Sequence, residues 1–278
     1  MTRHRLLVYA AVFVSSIFLV GSCAFILDTI RTGGEKELKP APPPSSRSGP
    51  RMIIFALDGT TPAQLMEAIQ SGNAPNLAGL LGKERGRGLF EHGYAAPKAL
   101  SILPSSTIAA WSAIFTGTAP ARNGVVGDEW FERESATFLA PVPVSALDTA
   151  DVSKVVSDDL IGKELQTPTL YELIKKNINV SMLSVHRGAT LYTTVSPASL
   201  TDFLGFLIKG ALKGIDAEKS IAAALDLSAT QKLIEAIETK GVSDLQVVYF
   251  PGVDIFTHVA EDPLASQVRY LQFVTDKR

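Results

Sequence analysis

Three largely apolar stretches, Met52–Leu57, Asn179–Val185 and Leu245–Phe250, constrain this chain more than any other feature. Each is of strand length and none alternates cleanly between polar and apolar residues. A strand that is apolar on both faces must be covered on both, which is the position of a parallel strand between two layers of helices. Helix-like segments stand between the stretches, from Thr61 to about Gly72, from Thr167 to Lys176 and from Leu200 to Ile237. Strands alternating with helices at this spacing predict a doubly wound, mostly parallel α/β sheet. Ligands of such sheets bind at the carboxyl ends of the strands, so the residues that follow each apolar stretch are the candidate site.

Asp58-Gly59 closes the first stretch. Thr61 with Gln64 three residues on forms a capping box, and Pro62 at the first helical position opens a helix. Asp58 is equally a turn-former beside Gly59. The segment Leu103–Gly117, LPSSTIAAWSAIFTG, sets the hydroxyls of Ser105, Ser106 and Thr107 before a helix that carries Trp111, Ile114 and Phe115 on one face and stops at Gly117. Free N–H groups and the positive end of the dipole at that helix start favour an alkoxide and an approaching phosphate. The same pattern also suits an ordinary N-cap with a buried helix behind it. The third stretch ends in Pro251-Gly252-Val253-Asp254 and is followed by His258. An Asp-x-x-x-His pair brings a carboxylate and an imidazole to one cation, a donor set that suits zinc and also manganese or iron. A lone histidine is as well explained as a surface residue. The conjunction of an acid, a capping hydroxyl and an acid–histidine pair at three successive strand or loop ends favours a site.

The N-terminus directs the rest. Leu6–Leu27 is an uncharged apolar run behind Arg3, His4 and Arg5, long enough to span a bilayer, with its positive charge on the side that stays cytoplasmic. Within it, Leu19-Val20-Gly21-Ser22-Cys23 resembles a bacterial lipobox, while Ala24–Leu27 continues the apolar run beyond the cleavage point. Lipidation at Cys23, an uncleaved signal anchor over residues 6–27 and an ordinary cleaved signal therefore all stand, and each exports the remainder to a periplasmic or cell-surface location. Residues 28–51 are rich in Pro, Ser, Gly, Lys and Glu and read as a semi-stiff tether that cannot pack, leaving 52–278 as the folded domain. A net charge of −2 without a long basic run argues against a nucleic-acid partner. The single cysteine excludes an internal disulfide and a cysteine zinc cage. Residues Thr137–Lys154 show no stable period and read as an excursion from the core.

Taken together, these motifs resemble the alkaline phosphatase superfamily, in particular its type I phosphodiesterase and nucleotide pyrophosphatase branch, across Met52–Arg278. The strand ending in Asp58-Gly59 is similar to that family's first metal-ligand turn. Pro104-Ser105-Ser106-Thr107 with Thr116-Gly117 and Asn123-Gly124 resembles its nucleophile segment, the spacing from Thr116-Gly117 placing the nucleophile at Thr107. Tyr249–Asp254 with His258 resembles the segment that binds the second metal. The resemblance implies two divalent ions, most simply zinc, one served by Asp58 and Thr107 and the other by Asp254 and His258. It also implies hydrolysis of a phosphate mono- or diester of a small, nucleotide-like molecule through a phosphothreonine, with Ser106, His186 and Arg187 as candidate substrate-binding residues.

Three departures from the family pattern matter. Ala110 stands where relatives carry an Asn that holds a phosphoryl oxygen, and Asn123 where many carry His; both weaken the case for a nucleotide. The family's later Asp-His-Gly segment and final histidine have no counterpart up to Arg278, and His92 and His186 lack the expected context. With two family-matched donors per ion, residues 52–278 alone are expected to bind zinc loosely. The competing reading is a truncated or degenerate binding module of the same fold. For the anchor, Cys23→Ala is expected to abolish labelling by a palmitate analogue and leave an uncleaved precursor; unchanged mass and membrane retention would instead establish a spanning helix.

Overall fold

The computed structural model describes residues 36–37, 50–96, 98–142, 159–174, 176–181, 185–192, 217–258 and 262–276. The Leu6–Leu27 segment with Cys23, most of the 28–51 tether, residues 143–154 of the excursion and 200–216 of the third helical segment lie outside the described residues. Among the described residues no helix is long and apolar enough to cross a membrane.

In chain order the strands are β1 (Lys36–Glu37), β2 (Met52–Leu57), β3 (Glu84–Gly86), β4 (Leu89–Phe90), β5 (Trp130–Glu132), β6 (Thr137–Leu139), β7 (Ile178–Ser181), β8 (Leu191–Tyr192) and β9 (Leu245–Phe250). The helices are α1 (Pro62–Gln70), α2 (Pro75–Leu81), α3 (Thr107–Thr116), α4 (Pro120–Asn123), α5 (Leu160–Glu164), α6 (Leu170–Ile174), α7 (Ala217–Lys240), α8 (Gly252–His258) and α9 (Pro263–Asp276). The main sheet runs β1-β8-β7-β9-β2, with β8, β7, β9 and β2 parallel and β1 antiparallel at the edge. Two residues of the expected tether thus join the sheet, because edge pairing uses backbone groups and asks nothing apolar of Lys36 and Glu37. Residues 84–90 and 130–139 each form a small antiparallel hairpin that the sequence pattern did not announce.

Helices cover both faces, as expected of a doubly wound sheet. Ile178, Val180, Leu245 and Val247 pack with Ile108 and Phe115 of α3, Ile161 of α5 and Tyr171 of α6. Strand β9, between β7 and β2, is occupied on that side by Leu245 and Val247, while Gln246 and Val248 are buried on the other, the side left for α7, which also packs on β9. There a second cluster joins Ala68 of α1, Ala222 of α7, Val253 of α8 and Tyr270 and Leu271 of α9. Phe115 is buried between the rings of Trp111 and Tyr171, at centroid distances of 6.1 and 5.3 Å. Truncation of such a residue to Ala costs about 3–5 kcal/mol.

Two expectations are corrected. Ile114 does not share the buried face of α3: it is exposed, while Ile108, Ser112 and Phe115 form the buried stripe at i, i+4 and i+7. Nor is β2 covered on both faces. Among the described residues it is one of the two end strands of the sheet, and Met52, Ile53 and Phe55 are exposed, at 60%, 43% and 54%. A parallel edge strand with apolar side chains and unpaired backbone groups is a template for association. Ile53→Lys combined with Phe55→Lys is therefore expected to reduce concentration-dependent self-association in sedimentation velocity; identical profiles for wild type and variant would refute that role of the edge.

Candidate active site

Asp58 follows β2 directly. Its backbone N–H donates to Phe250 O of β9 (3.1 Å), so the two strands stay in register to their last residues. The carboxylate is then fixed twice: Gly59 N–H donates to Oδ1 (2.9 Å), and the Tyr249 hydroxyl donates to Oδ2 in a short hydrogen bond. Burial, then the Asp58 charge, pushes the Tyr249 phenol far above its ordinary pKa, so it remains a donor. Gly59 is left-handed (φ 64°), and a Cβ placed there would lie 2.7 Å from Asp254 Cα. Only glycine lets the first acid turn approach the second this closely.

Helix α1 starts as the sequence indicates, Thr61 Oγ1 accepting from Gln64 N–H (3.3 Å) behind Pro62. The reciprocal half of the capping box differs, since Thr61 N–H is held by Gln267 Oε1 of α9 (3.2 Å).

Thr107 is the first residue of α3, with Ser106 at the N-cap position making no side-chain cap. The cap comes from elsewhere: Asp128 Oδ1 accepts from Ile108 N–H at 2.9 Å. Asp128 lies outside every motif of the sequence, since no linear pattern links it to Thr107. Among the described residues Thr107 Oγ1 makes no hydrogen bond, the Ser106 hydroxyl is buried without a partner, and Ser105 is exposed. Trp111, one turn into α3, meets the edge of the Tyr249 ring at 5.9 Å. Tyr249 therefore touches both the helix of Thr107 and the carboxylate of Asp58.

Asp254 stands in the first turn of α8 and His258 in its last, with His258 Nε2 3.5 Å from Asp254 Oδ1. The imidazole is exposed. Burial raises the pKa of Asp254, as do Asp58 and Asp128, while His258 lowers it. Asp254 lies against the Asp58-Gly59 turn at the carboxyl end of β2 and β9, the Gly59 Cβ position falling 2.7 Å from its Cα, and the Asp128 charge acts on the same carboxyl. Helix α8 is held from behind by Asp226 of α7, whose Oδ1 accepts from Gly252 N–H (3.0 Å) and whose Oδ2 accepts from the Tyr270 hydroxyl (3.0 Å). A Cβ on Gly252 would collide with both Asp226 and Tyr270.

The remaining candidates serve the scaffold. Arg187 donates to the carbonyls of Gly162, Leu165 and Thr167 and through Nε to Glu172 Oε2, with Nη2 3.2 Å from the same carboxylate oxygen, so four of its five guanidinium N–H groups are bonded to the surrounding loops. His186 is buried, stacked on Tyr192 at 3.8 Å, with Nε2 3.3 Å from Asp159 Oδ1. Asn123 is buried and clamps its own loop, donating to Thr118 O and accepting from Val125 N–H, both at 2.9 Å. His92 is exposed beside α2, its N–H donating to Leu81 O.

Among the described residues no three His, Cys, Asp or Glu side chains converge into a ready cation cage. The donor types present nevertheless suit divalent cations: the Asp58 and Asp254 carboxylates and an exposed His258 imidazole 3.5 Å from Asp254.

Two acids and an imidazole past the carboxyl ends of adjacent parallel strands mark one end of the sheet of this α/β protein as its candidate functional end. The chain belongs to the type I phosphodiesterase/nucleotide pyrophosphatase family, whose model matches residues 52–269, within the alkaline phosphatase superfamily. Among solved structures it is similar to phosphonoacetate hydrolase from Sinorhizobium meliloti 1021 in complex with phosphonoformate, with 16% identity and a TM-score of 0.45 over 81% of this chain and 52% of that one. The same enzyme in complex with phosphonoacetate gives 14% identity and a TM-score of 0.42. The chain spans about half the length of that enzyme, 52%. No curated protein matches it in sequence.

Burial pushes the Asp226 carboxyl up to about 6, against the lowering effect of its two hydrogen bonds. A carboxyl raised in the folded state contributes stability that is fully present below its unfolded pKa and lost as pH rises through the folded value. Between about pH 4 and 7 the wild type should therefore lose on the order of 2–3 kcal/mol through this group. Asp226→Asn keeps both bonds, its amide oxygen accepting from Gly252 and its NH2 donating to Tyr270, and should flatten that slope in urea titrations. An unchanged slope would contradict the assignment.

Proposed function

We propose that this chain is an exported, membrane-tethered phosphohydrolase that acts on phosphate mono- or diesters of small molecules through a phosphothreonine at Thr107, with two divalent ions, most simply zinc. The observation that carries the reading is the close approach of the Asp58-Gly59 turn to Asp254 while Asp128, which acts on the same Asp254, caps the helix of Thr107. Family membership supports the class of chemistry, and the N-terminal apolar segment supports export.

In this reading Asp58 and Thr107 would hold one ion, and Asp254 and His258 the other. When bound, the ions supply Lewis acidity, favouring the deprotonated hydroxyl and the departing oxygen. The protein's own part is positional. Thr107 Oγ1 gives its proton to solvent and attacks phosphorus in line, a P–O bond to Thr107 forms as the bond to the leaving oxygen breaks, and that oxygen takes a proton from solvent and departs as an alcohol. Water then cleaves the phosphothreonine and returns the hydroxyl, giving net retention at phosphorus over the two displacements. The start of α3, where Asp128 takes the Ile108 N–H, would face the incoming phosphoryl oxygens with its remaining N–H groups, while Tyr249 and Gly59 hold the Asp58 carboxylate in one orientation.

A second reading, a binding module of the same fold without turnover, draws on the engagement of both Asp58 oxygens by protein donors and the exposure of His258. Hydrolysis of p-nitrophenyl phosphate and of its bis-ester separates the two. Thr107→Ala is expected to lower the rate by about 10³-fold or more, and Ser105→Ala and Ser106→Ala by only a few-fold. Equal losses at Ser106 would move the nucleophile there, and a wild-type rate no higher than that of Thr107→Ala would favour the binding module.

A further inference from the structure

Helix α3 does not use the cap that its own sequence offers. Ser106 stands at the N-cap position with its hydroxyl buried and without a hydrogen-bond partner, where a serine oxygen ordinarily accepts from the first turn. The acceptor is instead Asp128 Oδ1, 20 residues along the chain from Ile108 and 2.9 Å from its nitrogen. A serine cap satisfies such a donor without a charge. The carboxylate satisfies it and sets a negative charge at the start of the helix that carries Thr107.

The backbone that presents this carboxylate is fixed relative to α3. Asn123 Oδ1 accepts from Val125 N–H (2.9 Å), and Val125 is buried in the same core cluster as Ile108 and Phe115. On the far side, Val142 N–H donates to Asp128 O (3.1 Å), and the β5–β6 hairpin begins two residues on. Covalent geometry keeps Thr107 Oγ1 within about 5 Å of the Ile108 nitrogen, and hence within roughly 8 Å of Asp128 Oδ1. The charge is also felt at the second acid: burial raises the Asp254 pKa most, and the charges of Asp58 and Asp128 add to it.

We propose that Asp128 is a charge filter of the phosphoryl site, a specificity-determining residue that occupies an N–H donor at the start of α3 and penalises each negative charge a phosphoryl group brings to Thr107. This assignment rests on the phosphohydrolase reading above. The N–H groups of a helix start are natural partners of phosphoryl oxygens. With one of them taken by a carboxylate, a doubly charged monoester with three non-bridging oxygens loses more than a singly charged diester with two. At separations of roughly 5–8 Å, with an effective dielectric of about 30–40, one unit of charge changes an interaction by roughly tenfold. Asp128 thus docks the helix of Thr107 and discriminates by charge with the same side chain.

Steady-state hydrolysis of p-nitrophenyl phosphate and of methyl p-nitrophenyl phosphate by the full chain, with zinc at pH 8, tests this. The two share a leaving group and differ by one charge. Asp128→Asn keeps an oxygen for Ile108 N–H and removes the charge, whereas Asp128→Ala removes both. The ratio of kcat/KM values, monoester over diester, is expected to rise roughly tenfold in both variants. Loss of the cap or of cation affinity alone lowers both rates together and leaves that ratio where it was. An unchanged ratio in Asp128→Asn, or a change confined to Asp128→Ala, overturns the filter, with circular dichroism confirming that each variant folds. A wild-type rate no higher than that of Thr107→Ala on either substrate overturns the phosphohydrolase reading instead. Calorimetry then reads the filter without turnover, through inorganic phosphate and dimethyl phosphate, which differ in charge in the same way. Asp128→Asn is expected to tighten the first roughly tenfold more than the second, and an equal effect on both overturns the filter itself.

Discussion

The hydrogen bond from Tyr249 to Asp58 is the constraint on which the crevice depends. Tyr249 belongs to β9, Asp58 follows β2, and Trp111 of α3 rests against the same phenol ring, so one side chain fixes a strand pair, an acid turn and the helix of Thr107 relative to one another. Burial and the neighbouring carboxylate hold the phenol protonated, which makes the contact a donor–acceptor pair at any physiological pH. A charge-assisted hydrogen bond of this kind is shorter and stronger than a neutral one. It orients the Asp58 carboxylate while Gly59 permits Asp254 to come alongside.

Around that contact, three helix starts are satisfied by side chains far away in sequence. Gln267 holds Thr61 N–H ahead of α1, Asp128 holds Ile108 N–H in α3, and Asp226 holds Gly252 N–H in α8. Helix N-termini leave backbone donors without partners, and a start that is buried must find acceptors somewhere. Here those acceptors come from other elements, so each cap also docks the helix that carries Thr107, Asp254 or the residues after Asp58. Two of the caps are carboxylates, and Asp128 adds to the negative field that raises Asp254. The site is thus assembled by groups that a divalent cation would relieve of mutual repulsion.

The sequence made the sheet and its functional end legible for a physical reason: apolar strand-length runs announce burial, and whatever follows them sits at the strand ends. The places of Asp58 and Asp254 just past apolar runs and of Thr107 at a helix start were readable from the pattern, and His258 followed from its spacing to Asp254. Asp128, Asp226, Gln267 and the role of Tyr249 were not, since each acts across 20 or more residues through a contact that exists only in the fold. Arg187 shows the reverse. A cation just past a strand invites an anion, yet the carbonyls of Gly162, Leu165 and Thr167 already converge on its guanidinium. The apolar character of β2 was read as burial on two faces, whereas Met52, Ile53 and Phe55 mark an open edge.

The central claim is that Asp58 and Asp254, brought together at the ends of β2 and β9, hold cations in one crevice with Thr107 and His258. Calorimetric titration of zinc into the full chain and into Asp58→Asn and Asp254→Asn tests it most directly. The account predicts zinc binding that each substitution weakens by at least about tenfold, while the fold, followed by circular dichroism, is retained. Zinc affinity that is the same in all three proteins would contradict it.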